Sequence, residues 1–290
     1  LPTEAGLARW LFDELYEPNT AQAPYDLATF GFFNHFGFLT LPLLTQAPAA
    51  ITPQAAQLPT MLHFSCGDTL MREQWGGRTI LAVHGAGDAL HGPGHLHGDL
   101  NSFILVHNNE RLLLDPGHAC YRSLSRELDV ASKAHNTCTF MLPAADEAEQ
   151  QHMVASRIMQ QAIYFDRPVM DGELGEPVER GGKHLLDSQV DAVKVVGSEV
   201  GALYTEPIKT FMRFFVLCGE HALFIIDHIT SAQPVRTTWN WLLNNRDCTL
   251  DVRPVPPDRL VARRGDAGMK LFHIGDGRLQ GPNYGYVHDA

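Results

Sequence analysis

The sequence has no apolar run near the ~20 residues that a bilayer-spanning helix requires. Its richest stretch, Phe211 to Ile229, is broken by Arg213, Glu220, His221, Asp227 and His228. It has no CxxC pair. Its five cysteines, Cys66, Cys120, Cys138, Cys218 and Cys248, are odd in number and scattered, which argues against a zinc ribbon or a thioredoxin-type site and casts most of them as small buried hydrophobes. Positive charge is scarce: 22 Lys and Arg against 33 Asp and Glu give a net charge of -11. A general nucleic-acid binder needs a basic face and is excluded on that ground; an acidic ligand met by a local cluster of Arg and His is not. No charged stretch followed by an apolar one opens the sequence at Leu1, so no secretory signal is visible. Apolar residues are plentiful at 44%, with 19% charged, which predicts a folded core rather than bulk disorder. A length of 290 residues suggests two domains, or one large all-β domain with additions.

Two patterns divide the chain. Leu7, Trp10, Leu11 and Leu15 recur at helical spacing, so 5–16 reads as an amphipathic helix. Tyr25 to Leu44, rich in Phe, reads as a second helix, and Thr45–Pro59, rich in Ala, Pro and Gln, as a linker. From about Met61 the period changes to two. Strands are expected at Thr79–His84, Ser102–His107, Arg111–Asp115, Thr137–Leu142, Ile158–Phe165, Gln189–Val196, Thr210–Leu217, Ala222–His228 and Thr237–Leu243. Short polar turns at Asn108-Asn109, Cys218 to His221 and Arg264 to Gly268 join several of them, and Asp171–Lys183 reads as an exposed loop. Such a series predicts a large antiparallel β-sandwich, mainly β overall, preceded by a short helical segment. The expected boundaries are 1–57 and 58–290. Two helices make too little core to stand alone, so the chain reads as the end of a helical domain followed by most of a sandwich.

Fifteen histidines are the most informative feature, because several stand close together. His91-Gly-Pro-Gly-His95-Leu-His97-Gly-Asp99-Leu-Asn101-Ser-Phe103 is followed by Leu114-Asp115-Pro116-Gly117, Tyr121 and Ala134-His135-Asn136-Thr137. Neutral imidazole and carboxylate suit Zn²⁺, and two His with one carboxylate is a common ligand set. Residues two apart in an extended segment point the same way. His95 and His97 can therefore face one cavity, one as a ligand and one free for catalysis. A two-residue turn at Asn108-Asn109 would set Asp115 opposite Ser102, five residues or ~17 Å of strand from His97. Loop 92–100 must then fold back over the sheet, as its glycines permit. A single His in a β-rich protein is most often a hydrogen-bonded structural residue, HxH alone is weak, and Asp-Pro-Gly alone is a turn. The ordered combination with strands between is stronger.

That combination resembles the heparinase II/III-like family of polysaccharide lyases. The resemblance rests on His95-Leu-His97-Gly-Asp99-Leu-Asn101-Ser-Phe103, Leu112-Leu-Leu-Asp115-Pro-Gly117 with Tyr121, and His135-Asn136-Thr137. It extends to Leu58 through Arg72, and to Thr210-Phe-Met-Arg213 with Phe224-Ile-Ile-Asp227, covering about 58–245. It implies an incomplete (α/α) toroid followed by an antiparallel β-sandwich, with 1–57 as the last toroid helices and linker. It implies His97, Asp115 and His135 as ligands of a structural metal, usually zinc, and His95 as a histidine facing the substrate. Arg72, Tyr121 and Asn101 are candidate substrate contacts, Asn101 equally a turn residue that anchors its loop.

The reaction implied is β-elimination on a uronic acid of an acidic polysaccharide, with the rest of the active site in a toroid that precedes this chain. By itself this fragment is then expected to be inactive. The implied partners are that toroid and the polysaccharide, without nucleic acid or membrane; the resemblance also allows a homodimer, and it implies a periplasmic or secreted enzyme. Two other readings stay open. A cupin-type metal enzyme also uses HxH on a β-sandwich, but would place a Glu soon after it, and none occurs between His97 and Glu110. A non-catalytic carbohydrate-binding sandwich would use Trp239 and Trp241, whose spacing puts them on one face, more often a core face.

Overall fold

The period-two pattern folds into antiparallel sheets. The computed structural model describes residues 2–16, 48–87, 96–117, 129–143, 148, 157–160 and 182–280. The expected helix between Tyr25 and Leu44, most of the loop Asp171–Lys183 and the strand Ile158–Phe165 beyond Gln160 lie outside those residues. By internal contacts the chain divides into Leu1–Pro59 and Thr60–Ala290.

In the first unit, helix α1 (Pro2–Leu11) runs into a π-helical turn at Phe12–Tyr16. Arg9 and Asp13, one turn apart, form an ion pair at 2.8 Å. The amide of Ile51 donates to the carbonyl of Gly6 at 3.0 Å. Gly6 makes room for this crossing, since a Cβ there would sit 2.6 Å from the Ile51 side chain.

The second unit begins with a five-stranded meander in sequence order: β1 (Met61–His63), β2 (Asp68–Arg72), β3 (Thr79–His84), β4 (Ser102–His107) and β5 (Glu110–Leu113). After β6 (Cys138–Met141), a four-stranded meander is formed by β7 (Lys183–Val190), β8 (Val193–Glu199), β9 (Ile208–Cys218) and β10 (Ala222–Ser231), in the order β10-β9-β8-β7. β11 (Arg236–Trp239) pairs with β6, and β12 (Asp251–Val255), β13 (Arg259–Arg264) and β14 (Ala267–Phe272) form a three-stranded sheet. These strands pair antiparallel throughout the described residues.

The two large sheets close on an apolar layer. Met71, Leu81, Val83, Phe103 and Leu113 of the five-stranded sheet meet Val196, Phe215 and Leu217 of the four-stranded one. Strict alternation along β3 and most of β9 sends every second side chain into that layer. A second cluster, including Leu100, Cys138, Phe140, Tyr204 and Phe211, is packed by Trp239. Trp241 packs into the first, its ring 5.8 Å from that of Phe103. Both tryptophans are thus core-packing residues, which removes the feature that favoured a sugar-stacking module.

Several expected strands shift. Asn108 and Asn109 both adopt positive φ, 52° and 63°, as a two-residue hairpin of the primed type demands. The register then slips: Val106 pairs with Arg111 but Leu105 with Leu113, leaving Leu112 as a bulge. Extended, this register carries Asp115 toward Phe103 rather than Ser102. The single strand expected at Gln189–Val196 is instead the hairpin between β7 and β8, with Asp191 at φ 51°. Asp tolerates that left-handed conformation, and the valines on both sides hid the break. The turn expected from Arg264 to Gly268 joins β13 to β14, but the strands β12 to β14 fall outside the expected runs, because Arg253, Pro254, Arg259, Arg263 and Arg264 mask their alternation.

One inward position on β9 holds a charge. Arg213 is 1% exposed and sits opposite Asp227 in the β9–β10 register. Its Nε donates to Asp227 Oδ1 at 2.7 Å and its Nη2 to Oδ2 at 2.8 Å. Its Nη1 donates to the carbonyls of Asn101 at 2.9 Å and Asn136 at 3.0 Å. Trp239 Nε1 also donates to Asp227, at 2.7 Å. Burial by itself would lower the Arg213 pKa, but the Asp227 charge and hydrogen bonds outweigh it, so the guanidinium stays charged. Replacing Arg213 by Leu removes the counter-charge of Asp227, which keeps only the Trp239 donor, and leaves two carbonyls without theirs. The expected cost is ~3–5 kcal/mol, read from urea denaturation midpoints; a loss below ~1 kcal/mol would show that the network contributes little.

Candidate metal centre

The site is built from two loops that Arg213 holds at their backbones. Asn101 ends the first loop in a left-handed conformation, φ 61°, fully buried. Its Nδ2 donates to the carbonyls of Ser198 (3.3 Å) and Phe211 (3.4 Å), and its Oδ1 accepts from the Ser198 hydroxyl. One residue earlier, the Leu100 carbonyl accepts from Thr137 Oγ1 at 3.0 Å and Gln160 Nε2 at 2.7 Å. Gly98 donates to the Val130 carbonyl at 2.8 Å, and a Cβ there would lie 2.8 Å from the Gln160 carbonyl oxygen. Close backbone approach therefore requires glycine at 98.

The second loop carries His135, just after a 3₁₀ turn at Ser132–Ala134. Asn136 fixes it: its Nδ2 donates to the carbonyls of Phe103 (2.7 Å) and Leu114 (3.0 Å), and its Oδ1 accepts from the Leu242 amide at 2.6 Å.

With both loops held, ligand atoms of His97, Asp99 and His135 lie within 4.8 Å of one another. The rings of His97 and His135 are 5.3 Å apart between centroids. Asp115 stands behind His135, with its Oδ2 2.6 Å from Nδ1, while its Oδ1 accepts from the Gly117 amide at 2.9 Å. A neutral His135 donating from Nδ1 to Asp115 carries its lone pair on the buried Nε2. His84, at the end of β3, spans two carboxylates: Nδ1 lies 2.6 Å from Asp68 and Nε2 lies 3.4 Å from Asp99.

The charges are strongly coupled. For Asp99, burial opposes ionisation, but hydrogen bonding and charge from His84, with charge from His135 and His97, hold its pKa well below the usual carboxylate range. His84 also suffers from burial, yet Asp68 and Asp99 raise it to about 9. His135 is raised as well, burial being outweighed by Asp115 and then Asp99. A cleft of about 490 Å³ opens beside these groups, lined by Phe64, Asp68, His84, Asp99 and Asp115 among others.

Two imidazoles and one ionised carboxylate fit a divalent ion such as Zn²⁺. A carboxylate on the far nitrogen of a ligating histidine is the usual outer support, and the buried Nε2 of His135 is the atom such an ion would take. Of the expected ligands, His97 and His135 come together with Asp99, while Asp115 is placed on His135 outside that group. Arg72 is at the opposite end of β2 from Asp68, ~13 Å of strand away, its guanidinium 3.9 Å above the Trp75 ring. Asn101 is a loop anchor with no solvent-facing surface, not a substrate contact. His95 and Tyr121 lie outside the described residues. Sequence reasoning passed over Asp99, His84 and Asp68. The signal for Asp99 was present, since it follows His97 at the same two-residue spacing that linked His95 to His97.

The fold and site together define an antiparallel β-sandwich with a histidine–carboxylate centre at one edge. The family model described as Heparinase II/III-like, C-terminal, matches residues 69–279. The chain belongs to the heparinase II/III-like family, as the sequence motifs suggested. Among solved structures, a heparinase III shares 14% identity over 76% of this chain with a TM-score of 0.48. The heparan sulfate lyase HepC from Pedobacter heparinus shares 12% identity over 76% of this chain, with a TM-score of 0.47. The chain spans 30% of the length of each of these structures. No curated protein matches the sequence significantly.

A test of the outer support follows. Asp115→Asn is expected to weaken zinc affinity by ~10–100-fold, measured by competition with a chromophoric chelator, with the circular dichroism spectrum unchanged. Equal affinity in the variant and the parent would detach Asp115 from metal binding.

Proposed function

We propose that this chain is the sandwich portion of a polysaccharide lyase that cleaves uronic-acid-containing acidic polysaccharides by β-elimination, completed by a toroid domain. The observation that carries the reading is the family match over 69–279, which spans His97, Asp99 and His135. In this reading the last toroid helices lie in 1–57, and the enzyme works in the periplasm or outside the cell.

In β-elimination a base removes the C5 proton, a C4–C5 double bond forms, and the C4–O bond breaks with protonation of the departing oxygen. The uronate carboxylate must first be neutralised, because charge builds on it as the proton leaves. His95 is the group proposed for this acid–base work, since imidazole titrates near neutrality. It stands two residues before His97, in the loop that Gly98, Leu100 and Asn101 strap to the sandwich. His97, Asp99 and His135 would hold the metal, which supplies fixed positive charge that rigidifies the loop, with Asp115 orienting His135. His84 keeps Asp99 ionised through its own positive charge.

The cleft wall of this chain includes Asp68, Asp99 and Asp115, and the chain carries a net charge of -11. A polyanion is therefore met chiefly by cationic groups of the toroid, which also supplies the remaining catalytic groups. Heparan sulfate, named in one structural neighbour, is one candidate substrate, and alginate is another.

The test is ultraviolet absorbance of the unsaturated uronate product, with the full-length protein on a panel of acidic glycans. His95→Ala is expected to lower turnover ~10²–10⁴-fold with zinc content unchanged. An unaffected rate removes His95 from the mechanism, and cleavage without the new double bond removes the lyase reading.

A further inference from the structure

A second histidine–carboxylate group lies where the two large sheets end side by side. β1 is the outer strand of the five-stranded sheet and β7 the outer strand of the four-stranded one. His63 on β1 pairs with Thr69, a fully buried inward position, so it faces between the sheets. On β7, His184 pairs with Ser198 and Asp187 with Val196, both buried inward positions of β8.

Residues three apart on a regular strand point to opposite faces. Here a bulge between His184 and Leu186 adds one residue to β7, which brings His184 and Asp187 to the same face. Bulges often serve to re-aim a side chain in this way.

The result is compact. The rings of His63 and His184 stack with centroids 4.1 Å apart and planes 27° apart. Asp187 Oδ1 lies 2.9 Å from His184 Nε2, and Thr69 Oγ1 lies 2.8 Å from His63 Nδ1. One ring nitrogen of each histidine and an Asp187 oxygen all fall within 4.8 Å.

From this geometry we infer that His63, His184 and Asp187 form a second divalent-cation site, suited to Zn²⁺, that clamps β1 to β7. Two imidazoles and a carboxylate match the preference of zinc, with water completing the shell. Tetrahedral ligands at ~2.1 Å stand ~3.4 Å apart, so tilting the two rings out of their stack brings the nitrogens into range. The site joins strands that are outermost in opposite sheets among the described residues, and outer strands are prone to fray or recruit other chains. It is separate from the His97 group in sequence and does not depend on the lyase reading.

The experiment is zinc content by mass spectrometry after dialysis against micromolar Zn²⁺, on the whole 290-residue chain without a purification tag. The expected result is two zinc ions per chain, one in His97→Ala, one in His184→Ala and none in the double variant. If the His97 centre takes no zinc, the parent holds one, His97→Ala keeps it and His184→Ala loses it. Asp187→Asn, at a half-exposed position, preserves the fold and is expected to lower the affinity of this site ~10–100-fold. Zinc content unchanged in His184→Ala, or affinity unchanged in Asp187→Asn, overturns the assignment.

Discussion

The ion pair between Arg213 and Asp227 organises this sandwich. It replaces an apolar contact at an inward position of β9, and the desolvation it demands is large unless every donor is used. The structure meets that demand: Arg213 serves both Asp227 oxygens, two backbone carbonyls and, through Nη2, Cys138 Sγ at 3.2 Å. The two carbonyls belong to Asn101 and Asn136. One is two residues beyond Asp99 and the other is next to His135. A single buried guanidinium therefore sets the separation of the loops that carry the candidate ligands.

Further polar contacts translate that anchoring into precise side-chain positions. Asn101 and Asn136 each use their amide groups to bind strand backbone, so each loop is locked at a second point. Asp115 then orients His135, and His84 orients Asp99. Asp99 and His135 are thus backed by His84 and Asp115, each placed at or just beyond a strand end. Such layering holds a site to the tolerance that binding and catalysis require.

The two histidine groups sit in different mechanical settings. The His97 group is carried by loops and strapped down by buried hydrogen bonds. The His63 group sits on two outer strands, β1 and β7, and β7 is exposed along most of its length. Its geometry comes from a bulge and from the approach of the sheets. An ion in the first setting would stiffen a loop; in the second it would hold an edge closed.

The fold class was legible in the sequence because burial alternates at every second residue along β3, most of β9 and β10. The turn at Asn108-Asn109 was legible because Asn accepts positive φ. The β7–β8 hairpin and the β12–β14 sheet were not, because valines ran across one turn and arginines masked the other alternation. For the site, the sequence determined that His97 and His135 belong together, through a motif rich enough to mark a family. Which carboxylate joins them was a tertiary decision. A bulge at Leu112 shifts the register that carries Asp115; Asp115 Oδ2 lies 2.6 Å from Nδ1 of His135, and Asp99 lies with His97 and His135. The pairing of His63 with His184, 121 residues apart in sequence, was equally beyond local reading. It arises only because two separately built sheets end at the same edge, and sequence spacing carries no record of which edges will meet.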